Sequence, residues 1–373
     1  MTVTVLTNPG GNEVLRERSK SARWILSTIA VVAFAGLVAA CGGGGESSGK
    51  GGGGDAPAGK PVSGGDLVYG LEAETSGGWC LAESQLAISG IQVARAVYDT
   101  LTAPNADDEY VPFLAESVKP DATYTTWTIT LRSGVKFSDG SPLTATVVKN
   151  NLDAYRGKYP ARKPLLFIFV LQNVKDVTVV DDLNLTVTTV TPWPSFPAFL
   201  HSSGRLGIMG QAQLDDPKTC DRNLIGTGPF KLKEWKPDDQ LTVVKNPDYW
   251  RKDKNGVQLP YLNSITFKPY PDAQARLNAL QSGELSAGHY SGAEQIDALR
   301  TAKENGTLQE IESEKFTELS YGLLNVSKPP FNNKNARLAL AYGTNRKTFN
   351  KALNLDILNN ASGPFAPGEI GYL

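Results

Sequence analysis

An α/β fold is predicted by two periodicities that recur along the chain. Apolar and polar residues alternate in 124–132 (YTTWTITLR), 183–190 (LNLTVTTV) and 230–243, the pattern of half-buried strands. Residues 85–101, 145–155 and 273–282 instead carry apolar side chains at helical spacing.

Composition sets the outer limits. At 373 residues, one large or two to three smaller domains are expected. An apolar content of 40% and a charged content of 20% are those of an ordinary globular protein. A net charge of −1 argues against nucleic acid as a partner. Two histidines and three cysteines leave little material for a transition-metal site.

The N-terminus reads as an export signal, residues 1–40. Arg16, Arg18, Lys20 and Arg23 precede an apolar run, 24–40, that ends in Val38-Ala39-Ala40-Cys41. A permanent signal anchor is the alternative for the same run. Cys41 after two alanines resembles a bacterial lipobox, which makes Cys41 the lipidated first residue of the mature chain. The glycine-rich tract 41–65 then serves as a tether. Loss of 1–40, with its four basic side chains against Glu13 and Glu17, takes the net charge from −1 to −3. Outside the cytoplasm Cys80 and Cys220 become disulfide candidates, with two buried thiols as the alternative.

Beyond the tether the elements follow in order. Residues 66–70 (DLVYG) have strand character and lead into a polar, glycine-bearing loop, 71–79 (LEAETSGGW). The helix at 85–101 places Ile88, Ile91, Ala94, Tyr98 and Leu101 near one face. Trp127, Ile129 and Leu131 share one face of the next strand, and Thr126, Thr128 and Thr130 the other. Asp139-Gly140 and Ser141-Pro142 signal a turn before the helix at 145–155. Residues 191–200 (TPWPSFPAFL) are proline-broken and are expected to be neither helix nor central strand, with Trp193 and Phe196 in packing roles. Residues 225–250 form a tight turn and hairpin: Gly226 and Gly228 supply permissive backbone, and residues 236–239 (KPDD) reverse the chain. After a strand at 264–270, Asp272 caps the helix 273–282, whose buried face holds Ala273, Leu277 and Leu280 and whose end is Gly283.

These phrases together carry a family resemblance. G-T-G-P-F, a basic-aromatic strand and N-P-x-Y-W stand in order within 225–250, and WTITLRSGVKFSDGSPLTA spans 127–145. RLNALQSGEL follows at 276–285, and PFNN with RLALAYGTNR at 330–333 and 337–346. The chain resembles the family 5 extracellular solute-binding proteins of ABC importers, of the oligopeptide and dipeptide type. Ser286, Gly343 and Asn345 depart from that family's usual residues, which weakens assignment to a subfamily only.

The resemblance implies a periplasmic-binding-protein-like type II fold of the cluster C kind, two lobes with an extra small β-rich domain. Lobe I takes 66–109 and 223–307, the small α/β domain 110–222, and 308–373 begins a lobe III that is incomplete here. It further implies that Glu72, Glu74, Ser76, Gly78 and Trp79 line the mouth of a ligand cleft; a solvated loop with one aromatic anchor is the alternative for the same residues. The acid that pairs with a peptide's amino group in peptide-binding relatives would lie beyond residue 373. The function implied is capture of peptides by a monomeric, lipid-anchored protein that serves a membrane permease, on the outer face of the cytoplasmic membrane or in the periplasm. The alternatives are an oligosaccharide or other small-solute binder, with Trp79 and Trp193 stacking on sugar rings, and a truncated surface lipoprotein without transport.

Residue chemistry points away from catalysis. No G-x-S-x-G, H-E-x-x-H or P-loop pattern occurs, and Gly226-Thr227-Gly228 runs into Pro-Phe instead of a dinucleotide-binding helix. His201 and His289 have no ligand partner at metal-binding spacing and are read as surface or loop residues. No enzyme activity, metal or cofactor is expected.

Overall fold

Alternation in residues 230–245 becomes an antiparallel hairpin at one edge of a large mixed sheet. The computed structural model describes residues 2–7, 61–75, 77–107, 109–313 and 321–363. Its strands are β1 (Thr2–Thr7), β2 (Asp66–Leu71), β3 (Thr102–Pro104), β4 (Tyr110–Pro112), β5 (Ala115–Pro120), β6 (Thr126–Leu131), β7 (Val174–Val179), β8 (Asn184–Thr189), β9 (Phe230–Lys236), β10 (Gln240–Lys245), β11 (Ser264–Pro269), β12 (Ala287–Tyr290) and β13 (Leu308–Ser313). The longer helices are α1 (Ile88–Val97), α2 (Ala145–Tyr155), α3 (Ala273–Gln281), α4 (Ala293–Glu304), α5 (Lys334–Gly343) and α6 (Arg346–Asn354). The large sheet has the order β13-β1-β12-β2-β11-β10-β9. In it β2 pairs parallel with β11 and with β12, and the remaining neighbours are antiparallel. A second sheet, β5-β6-β8-β7, is antiparallel throughout.

That second sheet follows directly from its sequence. Trp127, Ile129 and Leu131 are buried, and Trp127 and Ile129 pair with Val187 and Leu185 across the ladder. The threonines between them keep partial or full exposure. Helix α2 packs on β7 and β8, and its N-cap is Thr144, whose side chain accepts from the Val147 amide at 3.3 Å.

Helix α1 is shorter than its apolar spacing predicts. It stops at Val97 because Tyr98 turns extended (φ −118°, ψ 134°) and the Val97 carbonyl accepts from the Gly228 amide at 2.9 Å. This contact explains both glycines of G-T-G-P-F. A Cβ on Gly226 would come 2.0 Å from the Val97 oxygen, and one on Gly228 would come 2.6 Å from it. Just beyond the helix, buried Asp99 accepts from Thr227 Oγ1 at 3.1 Å and from Trp250 Nε1 at 2.9 Å. Asn246 Nδ2 donates to the Gly228 carbonyl at 2.9 Å. Three motifs distant in sequence are thus one packed junction. Burial pushes the Asp99 carboxyl up to about 6, against the opposing pull of Trp250, Thr227 and the Arg251 charge.

Cys80 and Cys220 form a disulfide that spans 140 residues of sequence. On the chain-entropy model such a loop constrains the unfolded state by roughly 5 kcal/mol. The segment 191–200 holds one helical turn, Phe196–Phe199, where no helix was expected: Pro197 stands in its first turn, where a missing amide costs nothing. Thr2–Thr7, the head of the expected leader, is a strand between β12 and β13. Cys41, the tract from 42 to 60, and Ser76 lie outside the described residues. Among the described residues no helix is long and apolar enough to cross a membrane. Helices α5 and α6 keep Leu340, Tyr342, Phe349 and Leu353 exposed.

Two outcomes test the junction. Gly226→Ala should destabilise the chain by about 3 kcal/mol in urea unfolding, through overpacking against Val97. Asp99 has a folded pKa above the ordinary aspartate value of 3.8, so its contribution to stability is full below that value and is lost as pH rises through about 6. Wild type should therefore lose on the order of 3 kcal/mol relative to Asp99→Asn between pH 4 and pH 7, measured as the difference between two urea titration series.

Candidate functional site

The parallel strands β2, β11 and β12 end together, and the residues just past their carboxyl ends meet around one guanidinium. In open α/β sheets the crevice beyond the carboxyl ends of parallel strands is where ligands are held. Arg276, on α3, donates from Nε to the His289 carbonyl at 3.0 Å and from Nη1 to the Tyr270 carbonyl. Its Nη2 lies 3.5 Å from Glu72 Oε1, and its guanidinium carbon sits 5.0 Å from the centre of the Tyr290 ring. Tyr290 Oη donates back to the Arg276 carbonyl at 2.9 Å. With 3% of its side chain exposed, Arg276 is an internal tie between three strand ends.

Glu72 is the residue that this tie presents. Its Oε1 accepts from Ser291 Oγ at 2.8 Å and lies 3.2 Å from His289 Nδ1. Its Oε2 has no hydrogen-bond partner among the described residues, and 25% of the side chain is exposed. Burial works to raise the Glu72 pKa, but donation from His289 and Ser291 together with the Arg276 charge outweighs it and holds the carboxyl below its usual range. Glu72 is an anion whose inner oxygen is occupied and whose outer oxygen is free.

The other expected contact residues have different surroundings. Glu74 uses both oxygens locally, accepting from the Thr75 amide at 2.7 Å and from the Asp238 amide at 3.1 Å, which fastens the loop to the turn of the β9–β10 hairpin. Gly78 has φ +70°, and a Cβ there would come 2.7 Å from the Asp221 carbonyl oxygen. Trp79 is 1% exposed and stands edge-on to Trp235, with ring centroids 5.9 Å apart. Gly78 and Trp79, next to the Cys80 disulfide, pack in the core. Trp193 is 9% exposed and packs against Phe196 and Phe199.

His201 lies in a turn, as a loop residue would, but neither histidine is at the surface. His289 is fully buried in β12 and His201 is buried with Nδ1 3.1 Å from Thr100 Oγ1. Burial and the Arg95 charge lower the His201 pKa to about 4, so it is neutral at physiological pH. No cluster of three metal-ligating side chains exists among the described residues. Two open grooves lie elsewhere, of about 380 Å³ beside Arg132 and Trp250 and about 610 Å³ beside Phe169 and Val190. Neither has a convergent set of buried polar groups of the kind around Glu72.

Similarity to known proteins agrees with this architecture. The model of the bacterial extracellular solute-binding proteins, family 5 middle, matches residues 109–372. The glutathione-binding protein GsiB of Salmonella paratyphi A is 32% identical over 280 residues, 75% of this chain and 52% of that protein. Its counterpart in Escherichia coli O1:K1 is 30% identical over the same span. The chain therefore spans about half the length of the curated relatives it matches. Among solved structures, DppA of Helicobacter pylori in complex with the peptide STSA aligns with a TM-score of 0.68 at 23% identity, covering 84% of this chain and 63% of that one. AppA of Bacillus subtilis in complex with a nonapeptide aligns at 0.66 and 23%, covering 84% and 60%. These two establish a shared mixed α/β fold. AgaA of A. tumefaciens R10 in complex with agropinic acid aligns at 0.55 and 29%, covering 64% and 46%.

Proposed function

This chain belongs to the bacterial extracellular solute-binding proteins, family 5, and from that premise we propose that it captures peptides at the carboxyl edge of β2, β11 and β12 for delivery to an ABC import permease. It is a binding protein and not an enzyme. The observation that carries the peptide proposal is the accessible Glu72 carboxylate, held by Arg276, His289 and Ser291 where a parallel sheet offers its ligand crevice. The names of the relatives, a glutathione-binding protein and two proteins in complex with peptides, favour a peptide-like solute.

Lobe I (66–109 and 223–307), the small domain (110–222) and a further lobe from 308 would enclose the solute. Closure would exclude water and strengthen the polar contacts inside. Extended peptides can be held through main-chain hydrogen bonds while wet, roomy pockets accept varied side chains. Export through residues 1–40, lipid on Cys41 and the tether 41–65 would keep the monomeric protein at the outer face of the cytoplasmic membrane. Cleavage before Cys41 would also remove β1 from between β12 and β13. AgaA favours a second possibility, a small opine-like solute on the same scaffold. Trp79 and Trp193, the two rings expected to stack on sugars, are both buried.

A thermal-shift screen of the chain against pooled di- to hexapeptides checks the proposal. Peptide at a hundred times its Kd should stabilise by about 2.7 kcal/mol, a rise in Tm of about 5 °C. A rise with opines and none with peptides would move the assignment to the second solute class.

A further inference from the structure

The bond inventory of Glu72 bears on what a solute must bring to this edge. A carboxylate has two oxygens with about four acceptor positions between them. Here Oε1 faces Ser291 Oγ at 2.8 Å, His289 Nδ1 at 3.2 Å and Arg276 Nη2 at 3.5 Å, and Oε2 faces no donor among the described residues. The arrangement is lopsided in depth as well. Arg276 is 3% exposed and His289 is fully buried, so both lie behind the carboxylate, whose own side chain keeps 25% exposure.

This order of layers fixes the sign of the surface. The guanidinium is too deep to meet a solute, and three of its N–H groups already face His289 O, Tyr270 O and Glu72. Its charge compensates the desolvation of the inner oxygen, which lets an ionised carboxylate stand at a half-buried position. What remains toward solvent is an acceptor without a donor. A buried Arg behind an exposed Glu is a mount for a carboxylate, in the way that outer partners orient a ligating side chain.

We propose that Glu72 Oε2 accepts a cationic nitrogen of the bound solute, and that Arg276 and His289 are positioning residues that hold Glu72 in place for it. This rests on the solute-binding function above and adds to it a preference for solutes with an ammonium or guanidinium group. That group can come from an amino terminus or from a basic side chain. An ammonium donates three hydrogen bonds as a compact charge, and a charge-assisted bond to a preoriented carboxylate gives both affinity and direction.

The test uses the full chain and isothermal titration with three tetrapeptide pools that each contain lysine: unmodified, N-acetylated, and acetylated on the lysine side chain. Wild type should bind one acetylated pool about 10- to 100-fold more weakly than the unmodified pool, and the affected pool identifies the source of the nitrogen. Glu72→Gln should remove that ratio, and Arg276→Lys should reduce it. A purely structural role for Arg276 would lower Tm and leave the ratio unchanged. Equal wild-type affinity for all three pools, or an unchanged ratio in Glu72→Gln, overturns the proposal. If Glu72→Gln does not fold, the wild-type ratios alone decide. Wild type that binds none of the pools overturns the peptide-binding function itself, a result distinct from binding without discrimination.

Discussion

The carbonyl of Val97 is the point on which the packing of this chain turns. It closes α1, accepts the Gly228 amide, and leaves no room for a side chain on Gly226 or Gly228. Because the two segments touch backbone to backbone, Asp99 comes within reach of Thr227 and Trp250. From Gly228 the chain runs through Pro229 directly into β9, so the position of the whole hairpin follows from that contact. The hairpin carries β11 beside it, and β11 sets β2 in parallel register from Asp66 to Leu71. The carboxyl edge with Glu72 is therefore several steps downstream of a single close approach.

Electrostatics at the two places is handled in opposite ways. Asp99 is buried with neutral donors for its main partners, so desolvation prevails and its carboxyl is pushed up. Glu72 is partly exposed, with Arg276 beside it, and its carboxyl is held down. One carboxyl serves the packing and the other is kept ionised at a surface. The difference is one of solvent access and of a buried guanidinium.

Much of the fold was legible because it rests on local rules. The β9–β10 hairpin follows from alternation and a turn, α2 from its spacing and the Thr144 cap, and α3 from Asp272, whose carboxylate accepts the Ala275 amide at 2.7 Å. The early end of α1 was not legible, since a distant glycine imposes it. The loop after β2 marks Glu72 only as a candidate contact, and its partners Arg276, His289 and Ser291 leave weaker signals. Arg276 did leave a signal: it lies three residues after Ala273 and four before Leu280, on the apolar stripe of α3, where a charged residue must find buried partners. His289 sits in a four-residue strand buried on both faces, where alternation gives no warning. Trp79 was assigned to the cleft mouth by its loop, but a strained glycine before it and a disulfide after it draw the ring into the core.

The proposed capture of a solute beside Glu72 makes one prediction about place. Hydrogen exchange, followed by mass spectrometry with and without a saturating peptide pool, locates the bound solute on the backbone. Protection should concentrate at residues 71–75 and 288–292, with little change around Phe169 and Val190 or around Arg132 and Trp250. Protection confined to either of those two grooves, with 71–75 and 288–292 unaltered, would contradict the account.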